Sequence, residues 1–252
     1  MGIKLLEMLA SKGPTFTTAE ARKTWGTNDG VTRVLVSRLA KSGWIERLEK
    51  GKYMIIPLGA EKGKFTLHEF VLGSLLVQPY AIAYWSALHH HGLTDQIPAT
   101  VFVQTTARTR RRDHLVTGLH FWVVRISGRK FFGEKRERLE GKEVFITDPE
   151  KTVIDCLDKV RYSGGLVDVG LAVQTGKLDT GKLTDYAVRN GSSAVLRRLG
   201  YLCRFAGIEI PRPKPVSGSY IPLDPTIPWV GKKDPKWRVI INMDIRELEG
   251  KQ

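Results

Sequence analysis

The stretch Gly30–Trp44 and the fifteen or so residues after it constrain this chain more than any other segment. At 100° per residue, Val31, Val34, Leu35 and Leu39 fall on one side of a helix, and Thr32, Arg33, Val36 and Ser37 point away from it. Gly43 closes that helix, because glycine enters the left-handed conformation without steric cost. Trp44–Leu48 and Tyr53–Ile56 then flank a Lys50-Gly51 turn, which predicts a hairpin. A helix, a glycine stop and a hairpin form the second half of a winged helix-turn-helix.

The preceding residues supply the first half. Leu5, Leu6 and Leu9 are helically spaced and are stopped by Gly13-Pro14. Thr17 to Glu20 offers a threonine cap for a second helix, which ends near Trp25-Gly26. Thr27 and Asn28 can cap the third. The expected fold class is α+β, with a winged helix-turn-helix over residues 1–58 and a mixed α/β domain over residues 65–252. The charged, glycine-containing segment Gly59–Lys64 is the expected linker.

Charge says what such a unit faces. Lys and Arg number 40 against 26 Asp and Glu, a net +14, which suits a polyanion, nucleic acid first. With 42% hydrophobic residues the chain can fill a substantial core. The two cysteines, Cys156 and Cys203, sit in apolar helical patterns without a CxxC pair. That argues against a zinc ribbon or a disulfide framework and fits a reducing cytoplasm. No apolar run is long enough to span a bilayer, and no signal-peptide core is present, so no membrane partner is expected.

Further along, helices are expected over Leu67–Val77 and Tyr80–Leu93, and strands over Thr100–Thr105, Leu119–Ile126, Lys130–Phe132 and Glu143–Thr147. Asp148-Pro149 opens a strong helix. Helical patterns follow at Leu166–Gln174, Lys182–Arg189 and Ser193–Ala206. Next come a proline-rich crossing loop, Pro211–Pro228, and a last strand over Trp237–Met243.

Base readout requires short polar or bidentate side chains on the third helix, and Asn28, Thr32, Arg33 and Ser37 are placed for it. Arg33 suits a guanine, because its fork matches the O6/N7 pair. Arg38 reaches phosphates, and Lys41, Lys50 and Lys52 add backbone affinity. The run Arg108, Arg110, Arg111 and Arg112 lies between strands and forms an exposed loop, suited to phosphates or simply solvated. His89, His90 and His91 look like a metal cluster. Consecutive helical residues point about 100° apart, however, so no metal site and no cofactor are expected. Asp148, Glu150 and Lys151 superficially match nuclease carboxylate-and-lysine sites, but they suit a helix cap and first turn better. A nucleic-acid-processing enzyme and a protein-binding scaffold are the alternatives to a regulator.

In order along the chain, Arg33–Tyr53, Trp85–Thr94, Thr147–Leu157, Gly164-Gly165, Arg197–Leu202, Leu223–Pro225 and Gly231 resemble the AbiEi-family antitoxins. The resemblance implies the antitoxin of a type IV toxin–antitoxin operon, without enzymatic activity. Its winged helix would bind inverted repeats in double-stranded promoter DNA and repress the operon; the oligomeric state stays open, a monomer binding cooperatively being one arrangement. Its C-terminal domain would oppose a nucleotidyltransferase-like toxin. The family supplies no agreed catalytic residues, and none is carried over.

Overall fold

The computed structural model describes residues 2–56, 67–211 and 218–244. The expected linker Gly59–Lys64 and residues 212–217 of the proline-rich loop lie outside them. The chain begins α1 (Gly2–Ala10), β1 (Thr15–Thr17), α2 (Thr18–Trp25), α3 (Asp29–Lys41), β2 (Ile45–Glu49) and β3 (Lys52–Ile55). The capping residues act as their types dictate. Thr17 accepts from the Glu20 backbone N–H and Glu20 reaches back to Thr17, a reciprocal capping box. Gly26 closes α2 at φ 64°, and the Asn28 side chain accepts from Val31 N. β3 pairs antiparallel with both β2 and β1. The three-residue β1 carried no periodic signal.

The facing of α3 differs from expectation. Thr32, Val36 and Leu39 are buried, whereas Val31 and Val34 are 46% and 50% exposed. The buried stripe runs through residues 32, 35, 36 and 39, with Leu35 half-buried. This is the i, i+3, i+4, i+7 pattern once Thr32 is counted among the inward residues. Its hydroxyl is satisfied internally, 2.7 Å from Thr27 Oγ1 and 2.8 Å from the Asn28 carbonyl. A satisfied hydroxyl removes the penalty that would keep threonine at the surface.

The second part continues with α4 (Glu69–Ser74), β4 (Ala81–Ile82), α5 (Tyr84–His90), β5 (Thr100–Thr105), β6 (Asp113–Val116), β7 (Leu119–Arg125), β8 (Glu134–Leu139) and β9 (Lys142–Thr147). The helix expected over Tyr80–Leu93 is therefore split. Its first residues form a short, fully buried strand at the centre of a six-stranded sheet, ordered β6-β7-β5-β4-β9-β8. Periodicity cannot separate a buried strand from a buried helix over so few residues. The strand expected at Lys130–Phe132 does not form: Gly128–Lys130 make a 3₁₀ turn, and Phe131 and Phe132 lie in irregular chain before β8.

Four helices follow: α6 (Pro149–Asp158), α7 (Leu166–Thr175), α8 (Thr180–Asn190) and α9 (Ser193–Phe205). A three-stranded sheet of β10 (Ile221–Pro222), β11 (Lys232–Asp234) and β12 (Val239–Ile241) ends the described chain. The whole is mixed α+β. Residues from α5 to α9 form one core, joined by Val124, Ile126 and Trp237. Inward residues of the large sheet, with α4, form a second. Gly200 of α9 permits close contact with this last sheet, because a Cβ there would stand 2.3 Å from the Trp237 ring.

The hairpin belongs to two cores at once. Ile45 and Ile55 pack with Leu6, Leu9, Phe16, Val36 and Leu39 of the first helices. Leu48, Met54 and Ile56 pack with Phe70, Val71, Leu76 and Val116 of the second part. Alternation along each strand makes this possible, since successive side chains leave on opposite faces.

Candidate nucleic-acid interface

Turning α3 inward on Thr32, Val36 and Leu39 presents Arg33, Val34, Ser37, Arg38 and Lys41 to solvent. Among the described residues, none covers this face. A groove of about 260 Å³ runs beside it, lined by Arg33, Ser37 and Ala40 of α3, Thr18 of α2, and Arg47 and Tyr53 of the hairpin. At the entry to α3, Arg22 pairs with Asp29 at 2.9 Å, which leaves the positive charge further along the helix. The backbone N–H and hydroxyl of Thr17 hold the Glu20 carboxyl below its usual pKa, so it stays ionised at the start of α2.

On its other side the hairpin meets the arginine loop. A wider cleft, about 820 Å³, is lined by Arg47, Leu48, Glu49 and Lys50 of the hairpin. Arg108, Arg110, Arg111 and His114 face them from the segment between β5 and β7. The linear separation of some sixty residues hides this proximity, which the fold creates by packing β2 beside β6. Arg47 lines both the groove and the cleft. Nothing in its sequence neighbourhood singled it out. Its exposure follows from the irregular register of β2 between Arg47 and Glu49, which simple alternation does not anticipate.

The expected site residues therefore separate. Arg33, Ser37, Arg38, Lys41, Lys50, Arg108, Arg110, Arg111 and Arg112 are exposed. Asn28 is exposed, but its side-chain oxygen caps α3. Thr32 is 0% exposed and has no path to a base edge. Lys52 is also turned inward. Its ammonium donates to the Leu75 and Leu76 carbonyls at 2.8 and 3.3 Å, at the C-terminal end of α4. There it satisfies carbonyls that the helix leaves without partners.

The carboxylates of the Thr147–Leu157 segment are structural. Asp148 caps α6 by accepting from Lys151 N at 2.9 Å, and its other oxygen accepts from Tyr186 and Lys182. Glu150 accepts from Lys182 at 2.6 Å and from Asp179 N at 3.1 Å. Burial opposes the ionisation of Glu150, but these donors outweigh it and hold its pKa below the usual range. Arg197 and Arg198 of α9 are buried and donate to backbone carbonyls, including Trp237 and Leu223, which ties the last sheet to the helices.

Fold and exposed charge thus define the class first: an α+β protein whose basic N-terminal unit packs three helices on a small sheet and leaves one helix face bare. A family likeness follows for this unit: residues 4–56 match the family described as "Transcriptional regulator, AbiEi antitoxin". The fold as a whole is similar to the crystal structure of the RV2827C protein from Mycobacterium tuberculosis. The TM-score is 0.64 and the identity 14%, over 97% of this chain and 92% of that one. No curated protein matches the sequence. Among the described residues no helix is long and apolar enough to cross a membrane.

Proposed function

We propose that residues 2–56 act as a winged helix-turn-helix that binds double-stranded promoter DNA and represses the operon encoding it. In this reading α3 lies in the major groove. Arg33 reads a guanine edge, and Ser37 and the exposed Val34 contact neighbouring bases, valine suiting a thymine methyl. Arg38, Lys41, Arg47 and Lys50 hold phosphates, and the arginine loop extends that contact beyond the hairpin. The observation that carries the reading is the bare, cationic outer face of α3, continuous through Arg47 with the basic cleft.

The test is fluorescence anisotropy with the DNA upstream of this gene and a scrambled duplex of the same length. Arg33→Ala weakens binding to the upstream site by about 1–3 kcal/mol and barely changes the scrambled duplex. Equal loss on both would reduce Arg33 to a phosphate contact. No loss on either would remove α3 from the interface.

We propose a second role, as the antitoxin of a type IV pair acting in the cytoplasm, with the C-terminal part opposing a nucleotidyltransferase-like toxin; the support is the word antitoxin in the description that residues 4–56 match. Co-expression with a transferase encoded beside this gene tests it. Growth restored by the full-length chain carrying Arg33→Ala separates antitoxicity from repression.

A further inference from the structure

At the end of α5 the chain does what helical spacing alone argued against. The helix stops at His90 and His91 is already its C-cap, so the two rings leave a terminating backbone rather than a continuous turn. Their centroids lie 5.2 Å apart. The carboxylate arrives from β8, where Glu137 Oε2 stands 2.8 Å from His90 Nε2. One ligand atom from each of His90, His91 and Glu137 falls within a 4.8 Å sphere of mutual separation, and all three residues are half-buried.

We propose that His90, His91 and Glu137 form a binding site for a divalent transition metal of the zinc type. Two imidazoles and one carboxylate are a zinc donor set, with a fourth position left to water. The surroundings fit as well. His91 Nε2 is 2.7 Å from the Thr147 carbonyl oxygen. A ligating imidazole characteristically hands its second N–H to a backbone acceptor of this kind, which fixes the tautomer and frees the other nitrogen. His90 is held by Phe70, with ring centroids 5.4 Å apart. In a tetrahedral site the ligand atoms stand about 3.3 Å apart, given metal–ligand distances near 2.0–2.1 Å. Side-chain rotation of His90 and Glu137, both partly open to solvent, closes the difference. A bound ion would clamp the end of α5 to the charged edge strand β8. Through Thr147 it would also brace the junction where Asp148 caps α6.

The competing account is a plain His90–Glu137 hydrogen-bonded pair, which needs no metal. The untagged full-length chain, stripped with chelator, is titrated with Co²⁺ and followed by its visible d–d absorption, then with Zn²⁺ in competition. One equivalent of Co²⁺ binds, Zn²⁺ displaces it, and the melting temperature rises on loading. His90→Ala and Glu137→Gln each weaken Co²⁺ binding by at least about tenfold. His120→Ala, a change at an exposed histidine on β7, leaves it intact. Far-ultraviolet circular dichroism of each metal-free variant confirms that it is folded. Absence of binding by the parent chain, or undiminished binding by folded His90→Ala and Glu137→Gln, overturns the site and leaves the simple pair.

Discussion

Lys52 Nζ lies 2.8 Å from the carbonyl oxygen of Leu75, so the hairpin beside α3 is bonded directly to the end of α4. This contact and the burial of Leu48, Met54 and Ile56 make the hairpin a shared element rather than a free wing. Hydrogen bonds from charged donors contribute about 1.5–3 kcal/mol. Lys52→Met should therefore lower stability by about that amount, read from denaturant unfolding. The salt dependence of DNA binding should keep its slope, because this ammonium faces carbonyls. A shallower slope would mean that Lys52 reaches a phosphate in the complex.

Thr32 and Arg33 are neighbours with opposite fates. One hydroxyl is sealed against Thr27 and Asn28, and the other side chain is open. Thr32→Val should cost about 0.5–1.5 kcal/mol of stability through the lost hydrogen bonds. Its preference among operator variants should equal that of the parent chain. Binding measured across a set of single-base operator changes checks this, and altered preference with Thr32→Val would place the residue at the bases.

Residues with one dominant local role were legible in the sequence. Thr17, Asn28 and Asp148 cap the helices their positions implied, and Gly26 and Gly43 stop them, each with positive φ. The phase of α3 was misread because Val31 and Val34 outweighed a threonine whose methyl and hydroxyl both find partners inside. β8 escaped notice because Glu134–Leu139 is almost wholly charged, as befits an edge strand that discourages further pairing. The basic surface was legible in pieces only. Arg33, Lys50 and the arginine run each stood out, but their union through Arg47 exists only once β2 lies beside β6. Glu137 meets His90 for the same reason: no spacing rule links residues 90 and 137.

The arginine loop makes a quantitative prediction. Each phosphate neutralised contributes about 0.9 to the slope of log K against log salt on duplex DNA. Replacing Arg108, Arg110, Arg111 and Arg112 by glutamine should make the slope shallower by one to about four such increments. Discrimination between upstream and scrambled DNA should stay unchanged. Adding Arg47→Gln should reduce the slope again, since Arg47 bridges the two basic surfaces. An identical slope in the quadruple variant would assign the loop to solvent or to a protein partner.

Lys151 and Asp155 form a buried ion pair one helical turn apart in α6, at 0% and 3% side-chain exposure. Burial pushes the Asp155 carboxyl up to about 6, with Lys151 pulling the other way. The folded state therefore holds this proton more tightly than the unfolded chain. The contribution of Asp155 to stability is largest at low pH and is lost as pH rises between 3.8 and about 6. Lys151→Met strips the carboxylate of its cation and should destabilise by about 3–5 kcal/mol at neutral pH. Without Lys151 nothing on that side opposes the effect of burial, so the carboxyl rises further, and the loss should shrink as pH falls and Asp155 takes up a proton and the buried charge disappears. Lys151→Met with Asp155→Asn removes both charges and should recover much of the loss at pH 8. Urea unfolding of the three proteins at pH 5 and pH 8 distinguishes the cases. If the single and double variants are equally stable at both values, the energetic weight lies in the burial of the lysine stem, which is 0% exposed, and not in the charge.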